Sequence, residues 1–552
     1  MDNQSVFEIN EGDPLGWAYR LANTLHITTR PSFILREILF AEGDCLDPVL
    51  LEESARILRA YPFMQAAYVT STRQPDGSHH VLVVTQDDWT TKVDLGASFD
   101  QGFQLERLDL TEENLLGQGI LAAAYTRRRK EQRDAGLEFQ QPRLFGTRTD
   151  ATFGIGRTRV GSFFEQSLEY PFVGEVGRFA IREEYRRRDQ LFNYATGATG
   201  PEAVTNALVP YNVEWGEVSL ATRIGRPGNL TMFGLALSRE QIRFGGFPGD
   251  VEIVRDSDFG TTFDAPVEVR RAVTPQARER TTTRLAAMVG QRNLRFARPS
   301  GLDFMTADQD VRLGSDIGVT VGRSVGLFNG SELPSPDDLY GRINLFAGHD
   351  PGSSFIFLNA FAEARRVDTD GDAWRDVIAE ADLYSYLRTG ALEGHTLFVR
   401  ASGSIGRSLE TPFQVTLGGR EAVRSLVEED APGAARMLFT IEDRIVLKSL
   451  SVMDFGLSLF ADAGKVWAGD VPYGTDSDWV GAVGFGLRMG FPAGGRGLAR
   501  LDLAFPVGHE GDPVFRVTMI ELTGFLGGFS DDQLDRSRVT RVGPDYFVNE
   551  SR

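Results

Sequence analysis

From Thr91 onward the chain is written in segments of about ten residues that alternate apolar with polar side chains, separated by glycine-rich and turn-rich stretches. Successive side chains of a strand point to opposite faces, so each such segment specifies two different faces at once. Between Met453 and Ala463, Met453, Phe455, Leu457, Leu459 and Ala461 fall on one face. Asp454, Gly456, Ser458, Phe460 and Asp462 fall on the other. Ala499 to Pro506 repeats the pattern, with Leu501, Leu503 and Phe505 opposed to Arg500 and Asp502. A membrane barrel turns the apolar face to lipid and the polar face to its lumen, whereas a soluble sandwich turns the apolar face to a packed core. Alternation alone fits both.

Composition narrows the partners. A net charge of -19 argues against nucleic acid, because phosphate binding needs a surplus of Lys and Arg on one face. Cys45 is the one cysteine, so no intrachain disulfide and no thiolate metal cluster can form, and the six histidines show no zinc spacing. Apolar runs such as Ile120 to Tyr125 and Phe355 to Leu358 fall far short of the roughly 18 residues a spanning helix needs. Met1 to Pro14 lacks the basic stretch and apolar run of a secretory leader. Export, which the rest of the chain requires, implies that a leader has been removed.

The first ninety residues read differently. Behind an N-terminal segment, 1–22, Thr24 to Thr28 is predicted as a strand. Pro31 to Phe40 is predicted as a helix begun by its first-turn proline. A second helix after Asp47-Pro48 aligns Leu50, Leu51, Ser54, Ile57 and Leu58 on one stripe, and Tyr61-Pro62 ends it. Ala66 to Thr72 and His80 to Thr85 form a hairpin around Pro75-Asp76-Gly77. This order over residues 23–90, with Phe40-x-x-Gly43-Asp44 and Pro62-Phe63, resembles a single polypeptide-transport-associated (POTRA) domain. Residues 91–529 then form the barrel and 530–552 a polar tail.

Five further fragments occur in order. They are Glu112 to Gly119, Leu417-Gly-Gly-Arg-Glu-Ala-Val423-Arg424, Ile441-Glu442-Asp-Arg444, Phe460-Ala-Asp462-Ala-Gly464-Lys-Val-Trp467, and Val483-Gly484-Phe-Gly486-Leu-Arg488 followed by Arg500-Leu-Asp502. Together they resemble the outer-membrane assembly superfamily of BamA, TamA and mitochondrial sorting insertases and the two-partner secretion pores. The resemblance implies a transmembrane antiparallel barrel of about 16 strands behind one periplasmic POTRA domain. It also implies that an arginine of a long extracellular loop, here Arg424, folds back into the lumen. Parity puts Glu442 on the face of Thr440 and Arg444, and Asp462 on the polar face of its strand. A guanidinium fork can engage both carboxylates.

By the same resemblance the protein inserts β-barrel clients into the outer membrane or translocates a polypeptide, without enzymatic turnover or cofactor. Its partners would be the outer-membrane bilayer, unfolded barrel or secreted clients, and periplasmic chaperones or accessory lipoproteins. A secretion pore or plugged channel, and a membrane scaffold, are the alternatives. The strand seam would join the segments around Leu105 to Leu115 and Val514 to Phe525. Two departures stand out: Ser425 and Leu426 replace the family's glycine and aromatic after the arginine, and the last strand is followed by a tail.

Other signals weigh less. Asp368-Thr-Asp370-Gly-Asp372 fails the EF-hand pattern, with glycine fourth and Ala379 at the twelfth position, and reads as an acidic hairpin loop. Arg127 to Lys130 and Arg186 to Arg188 read as solvated basic turns. His79-His80 lacks further ligands at metal spacing, and no Gly-x-Ser-x-Gly elbow or phosphate loop is present.

Overall fold

The computed structural model describes residues 1–521 except 7–15, 99–103, 130, 199–202, 248, 256–258, 328–332, 369–372, 389–392, 419–421, 427–429 and 451–452. The predicted polar tail, 530–552, and the centre of the acidic loop at Asp370 and Asp372 lie outside the described residues.

The N-terminal module is a three-stranded sheet with helices on one side. Its elements are β1 (Asp2–Gln4), α1 (Gly16–Leu25), α2 (Pro31–Glu37), α3 (Pro48–Ala60), β2 (Met64–Arg73) and β3 (His79–Asp87), in sheet order β1-β3-β2. Asp47 caps α3 by accepting from the Val49 N–H at 2.9 Å. The predicted stripe packs inward through Leu51, Ser54, Ile57 and Leu58, while Phe33, Ile34, Phe63, Met64, Ala67 and Val83 complete the core. One element differs from expectation. Thr24 to Thr28 is not a strand, because β1 already occupies the β3 edge in parallel register. The chain after α1 is held instead by side chains: Asp87 accepts from the Thr29 N–H at 2.6 Å, and the Asn3 amide donates to the Thr29 carbonyl at 2.8 Å. The sheet of the module thus includes β1, which lies ahead of the expected range 23–90. Helix α2 also stops at Glu37, since Ile38 is extended.

Among the described residues the remaining strands form one closed sheet of 22. Two of them, Glu252–Val254 and Phe263–Asp264, are a short flap beside the strand Asn206–Arg226. Asn229–Arg243 pairs directly with Arg280–Ala297, so twenty staves close the wall. The expectation of about 16 is corrected upward. Between Gln104 and Tyr170 the strands are short, 9 to 12 residues each, and their lumenal faces are charged and their turns brief, so they merge in a sequence reading.

Faces are inverted relative to a soluble protein. Leu220, Leu235, Leu285, Leu383, Leu459 and Phe485, on six different staves, are exposed on the outer wall. Arg223, Glu240, Arg284, Asp316, Arg400 and Glu442 are buried inside. An apolar outer band around a charged interior is stable only where lipid replaces water outside, and closure pairs the two end strands of the sheet with each other. This resolves the ambiguity of alternation in favour of the membrane barrel. No helix among the described residues is long and apolar enough to cross a membrane.

The module docks on the turns at one end of the barrel. The Arg30 N–H donates to the Gly117 carbonyl at 2.8 Å, and the Asn114 amide to the Thr29 hydroxyl at 2.8 Å. Glu37 pairs with Arg143, and Glu53 accepts from the Glu175 N–H at 2.6 Å. Gly119, at φ 69°, needs its missing side chain: a Cβ there would stand 2.7 Å from the Phe33 ring. The other end is covered by the connection 244–279, whose Gln276 accepts from the Tyr194 hydroxyl at 2.7 Å and the Phe413 N–H at 3.1 Å.

Candidate functional site

The long loop between the strands His395–Arg407 and Ala435–Ser449 leaves the barrel at the end away from the module and turns back into the lumen. Its turn at Val423 to Leu426 is closed by the Val423 N–H on the Leu417 carbonyl at 3.0 Å and the Leu426 N–H on the Val423 carbonyl at 3.1 Å. The turn therefore forms with serine at position 425. Val423 is fully buried, and Gly464 makes the space: a Cβ there would stand 2.9 Å from Val423 Cγ2.

Arg424 meets both predicted carboxylates. Its Nε and Nη2 donate to Asp462 at 2.8 and 3.0 Å, and its Nη1 donates to Glu442 at 2.9 Å. The guanidinium lies over the Phe460 ring, 3.4 Å from its centroid. Gly484 leaves room for that ring, since a Cβ there would be 2.5 Å from it. Arg444 Nε and Arg500 Nη2 each donate to Glu442 at 3.1 Å, and Arg500 also pairs with Asp502 at 3.0 Å. Gly486 accommodates Asp502, whose carboxylate would stand 2.0 Å from an added Cβ. Arg488 is buried beside them. Trp467 stays apart: it is exposed near the far rim, with Lys465 5.6 Å from its ring centroid.

Two contacts were missed by sequence reasoning. Arg516, on the last strand Val514–Glu521, donates to the Leu426 carbonyl at 2.8 Å. Arg516 is also paired with Ser98 across the junction that closes the barrel. Among the described residues that junction has three residue pairs, Arg516 with Ser98, Val517 with Ala97 and Thr518 with Gly96. The junctions on either side have eight each. Both strands continue beyond Thr518 and Gly96 without pairing to each other. The first stave is therefore Thr91–Ser98. Gln104–Leu115, expected at the seam, is the second.

The basic clusters are also relocated. Arg186 and Arg188 stand on the strand Phe179–Ala195 and pair with Glu184 and Asp134, so they are lumenal wall and not turn. Lys130 lies outside the described residues. Among the described residues no three His, Cys, Asp or Glu side chains converge as a metal site.

Fold and site thus define a large closed barrel with an N-terminal α/β module and a lumenal loop pinned by arginine. No family model and no curated protein matches the chain. Many solved structures resemble it. Three of them are BamA from Haemophilus ducreyi lacking POTRA domains 1–3, at 12% identity over 94% of this chain and 84% of that one, with a TM-score of 0.41; CdiB from Escherichia coli, at 10% over 94% and 76%, with 0.42; and CdiB from Acinetobacter baumannii, at 11% over 94% and 73%, with 0.41.

Proposed function

We propose that the protein is an outer-membrane factor that inserts or translocates polypeptides, with the N-terminal module, read as a POTRA domain, on the periplasmic side. One observation carries this reading. The loop pinned by Arg424 is also held by Arg516, a residue of the wall junction with the fewest residue pairs among the described residues. An insertase needs a strand edge that can open to pair with a client strand, and a closed barrel otherwise offers none. Here the loop that would control the opening touches the strand that would open.

A second reading, a secretion conduit, is favoured by the other side of the lumen. Arg107, Arg127, Arg186 and Glu165 are only partly covered there, as in a water-filled passage. The test is reconstitution in lipid vesicles with a chaperone-held outer-membrane client. Faster client folding that is lost in Arg424→Ala supports insertion. Unchanged folding together with ion channels in planar bilayers moves the assignment to the conduit.

A further inference from the structure

The turn between the strands Arg280–Ala297 and Val311–Ser324 lies at the module end of the barrel, where a short polar turn suffices for barrels of this kind. Instead it folds into the lumen. The Gly301 N–H donates to the Ala307 carbonyl at 3.0 Å and the Gln309 N–H to the Pro299 carbonyl at 2.8 Å, closing a compact lobe. Its Leu302, Phe304 and Met305 are buried. Gly456 and Gly490, on strands far along the wall, admit Met305, since a Cβ at either would come within 2.9 Å of that side chain.

Asp303 sits at the tip, 1% exposed. The Tyr386 hydroxyl donates to it, and Arg444 reaches it at 3.4 Å while donating to the Leu302 carbonyl at 2.9 Å. Arg488 donates to the Asp303 carbonyl at 2.8 Å. Around the loop arginine, Arg424, Arg444, Arg488 and Arg500 face Glu442, Asp462 and Asp502. Asp303 supplies a fourth carboxylate, and buried guanidinium groups are tolerated only when so compensated. The other end of the lobe is tied to the module. Arg59 of α3 donates to both oxygens of Asp310 at 2.6 and 2.9 Å, and Arg298 donates to the Tyr68 hydroxyl of β2 at 3.3 Å.

We propose that residues 299–310 form an inner plug that transmits the position of the N-terminal module to the loop, with Asp303 as the positioning residue for Arg444 and, through Glu442, for Arg424. The chain of contacts runs from Arg59 to Asp310, through its neighbour Gln309, whose side-chain oxygen accepts from the Asp303 N–H at 2.9 Å, and on through Asp303, Arg444, Glu442, Arg424 and Asp462. A client that draws the module away from the barrel breaks the bidentate Arg59–Asp310 pair and lets the lobe withdraw. Arg444 then loses its carboxylate partner below and the loop loses its support. This inference rests on the loop arginine being a releasable lock, and not on whether release serves insertion or secretion.

The test reads the loop directly. In the full chain with Cys45→Ser, Ser425→Cys places a thiol beside Arg424 in a buried position, and its rate of reaction with a maleimide in lipid vesicles reports loop release. Asp310→Asn should raise that rate by at least about fivefold, the low end of ordinary coupling between sites. Asp303→Asn should raise it at least as much. The double variant should match the larger single effect, because both act along one path. Arg59→Ala, altered only in the module, should reproduce Asp310→Asn if Asp303→Asn does not fold, with the heat-dependent gel shift of the intact barrel as the folding control. Rates for Asp310→Asn and Arg59→Ala within twofold of the parent would overturn the proposal, as would effects of Asp303→Asn and Asp310→Asn that multiply. Loop release without any effect on a client would instead count against the functional reading alone.

Discussion

Replacing Arg424 by Ala should release the loop while leaving the barrel closed and folded. The two carboxylates are affected unequally. Glu442 keeps Arg444 and Arg500, each at 3.1 Å, but Asp462 loses both guanidinium bonds and is left with two uncharged donors, the Thr440 hydroxyl at 3.0 Å and the N–H of residue 424 at 3.3 Å. Breaking a buried pair by removing one partner costs about 3–5 kcal/mol, because the remaining charge is stranded. Water can reach Asp462 only if the turn at Val423 to Leu426 lifts away, so this cost is relieved by opening the loop. At about 1.4 kcal/mol per factor of ten, the equilibrium shifts toward opening by roughly two to three and a half orders of magnitude. The strands carrying Glu442 and Asp462 keep their own ladder, so thermal unfolding should change little. Hydrogen exchange of the Val423 and Leu426 amides in vesicles measures the shift. Arg424→Lys, which keeps the charge and loses the fork, should fall between the two. Exchange within threefold of wild type in Arg424→Ala, or effects of Arg424→Ala and Asp462→Asn that simply add, would refute the reasoning.

The same contacts and exposures set three further outcomes. Burial works to raise the Glu53 carboxyl, but the Arg56 hydrogen bond and charge, the Glu175 N–H and Arg223 outweigh it and hold the group below its ordinary 4.5. A lowered carboxylate stabilises docking above its unfolded value and loses that contribution as pH falls through the lowered one. Module docking, followed by energy transfer between labels on module and barrel, should therefore weaken below about pH 4.5, and Glu53→Gln should be weak and flat across that range. Gly484→Ala places a Cβ 2.2 Å from the Leu503 carbonyl and against Phe460, so it should cost about 1–3 kcal/mol in urea unfolding and loosen the loop less than Arg424→Ala does. Leu459→Arg on the exposed outer wall should cost up to about 2–4 kcal/mol in lipid, whereas a soluble sandwich would accept arginine at an exposed site without loss.

What was legible in the sequence was whatever two-residue periodicity encodes. Phe455 and Leu459 face outward and Asp454, Ser458 and Asp462 inward, as alternation predicts, and that parity also placed Glu442 and Asp462 in one lumen. The arginine that joins them was legible only through resemblance, since nothing local to Arg424 says that its loop turns back. Strand count was not legible, because the strands between Gln104 and Tyr170 are only 9 to 12 residues long and are joined by brief turns. The first stave was misplaced for a similar reason: Thr91–Ser98 is brief, and its register with the last strand depends on closure of the whole wall. The inner plug carries no period at all. Its one signal is apolar, Leu302, Phe304 and Met305 in a segment where a barrel turn calls for polar residues. The Arg516 contact with Leu426 arises from the path of the loop and has no local signature.

The central claim is that the junction between Thr91–Ser98 and Val514–Glu521 opens under control of the pinned loop. It is tested most directly by cross-linking that junction through its paired positions, Ala97→Cys with Val517→Cys in a Cys45→Ser background. Client folding in vesicles is then measured oxidised and reduced. Loss of acceleration when oxidised and recovery on reduction is the predicted result. Equal acceleration in both states, with the cross-link shown to be complete, would contradict it.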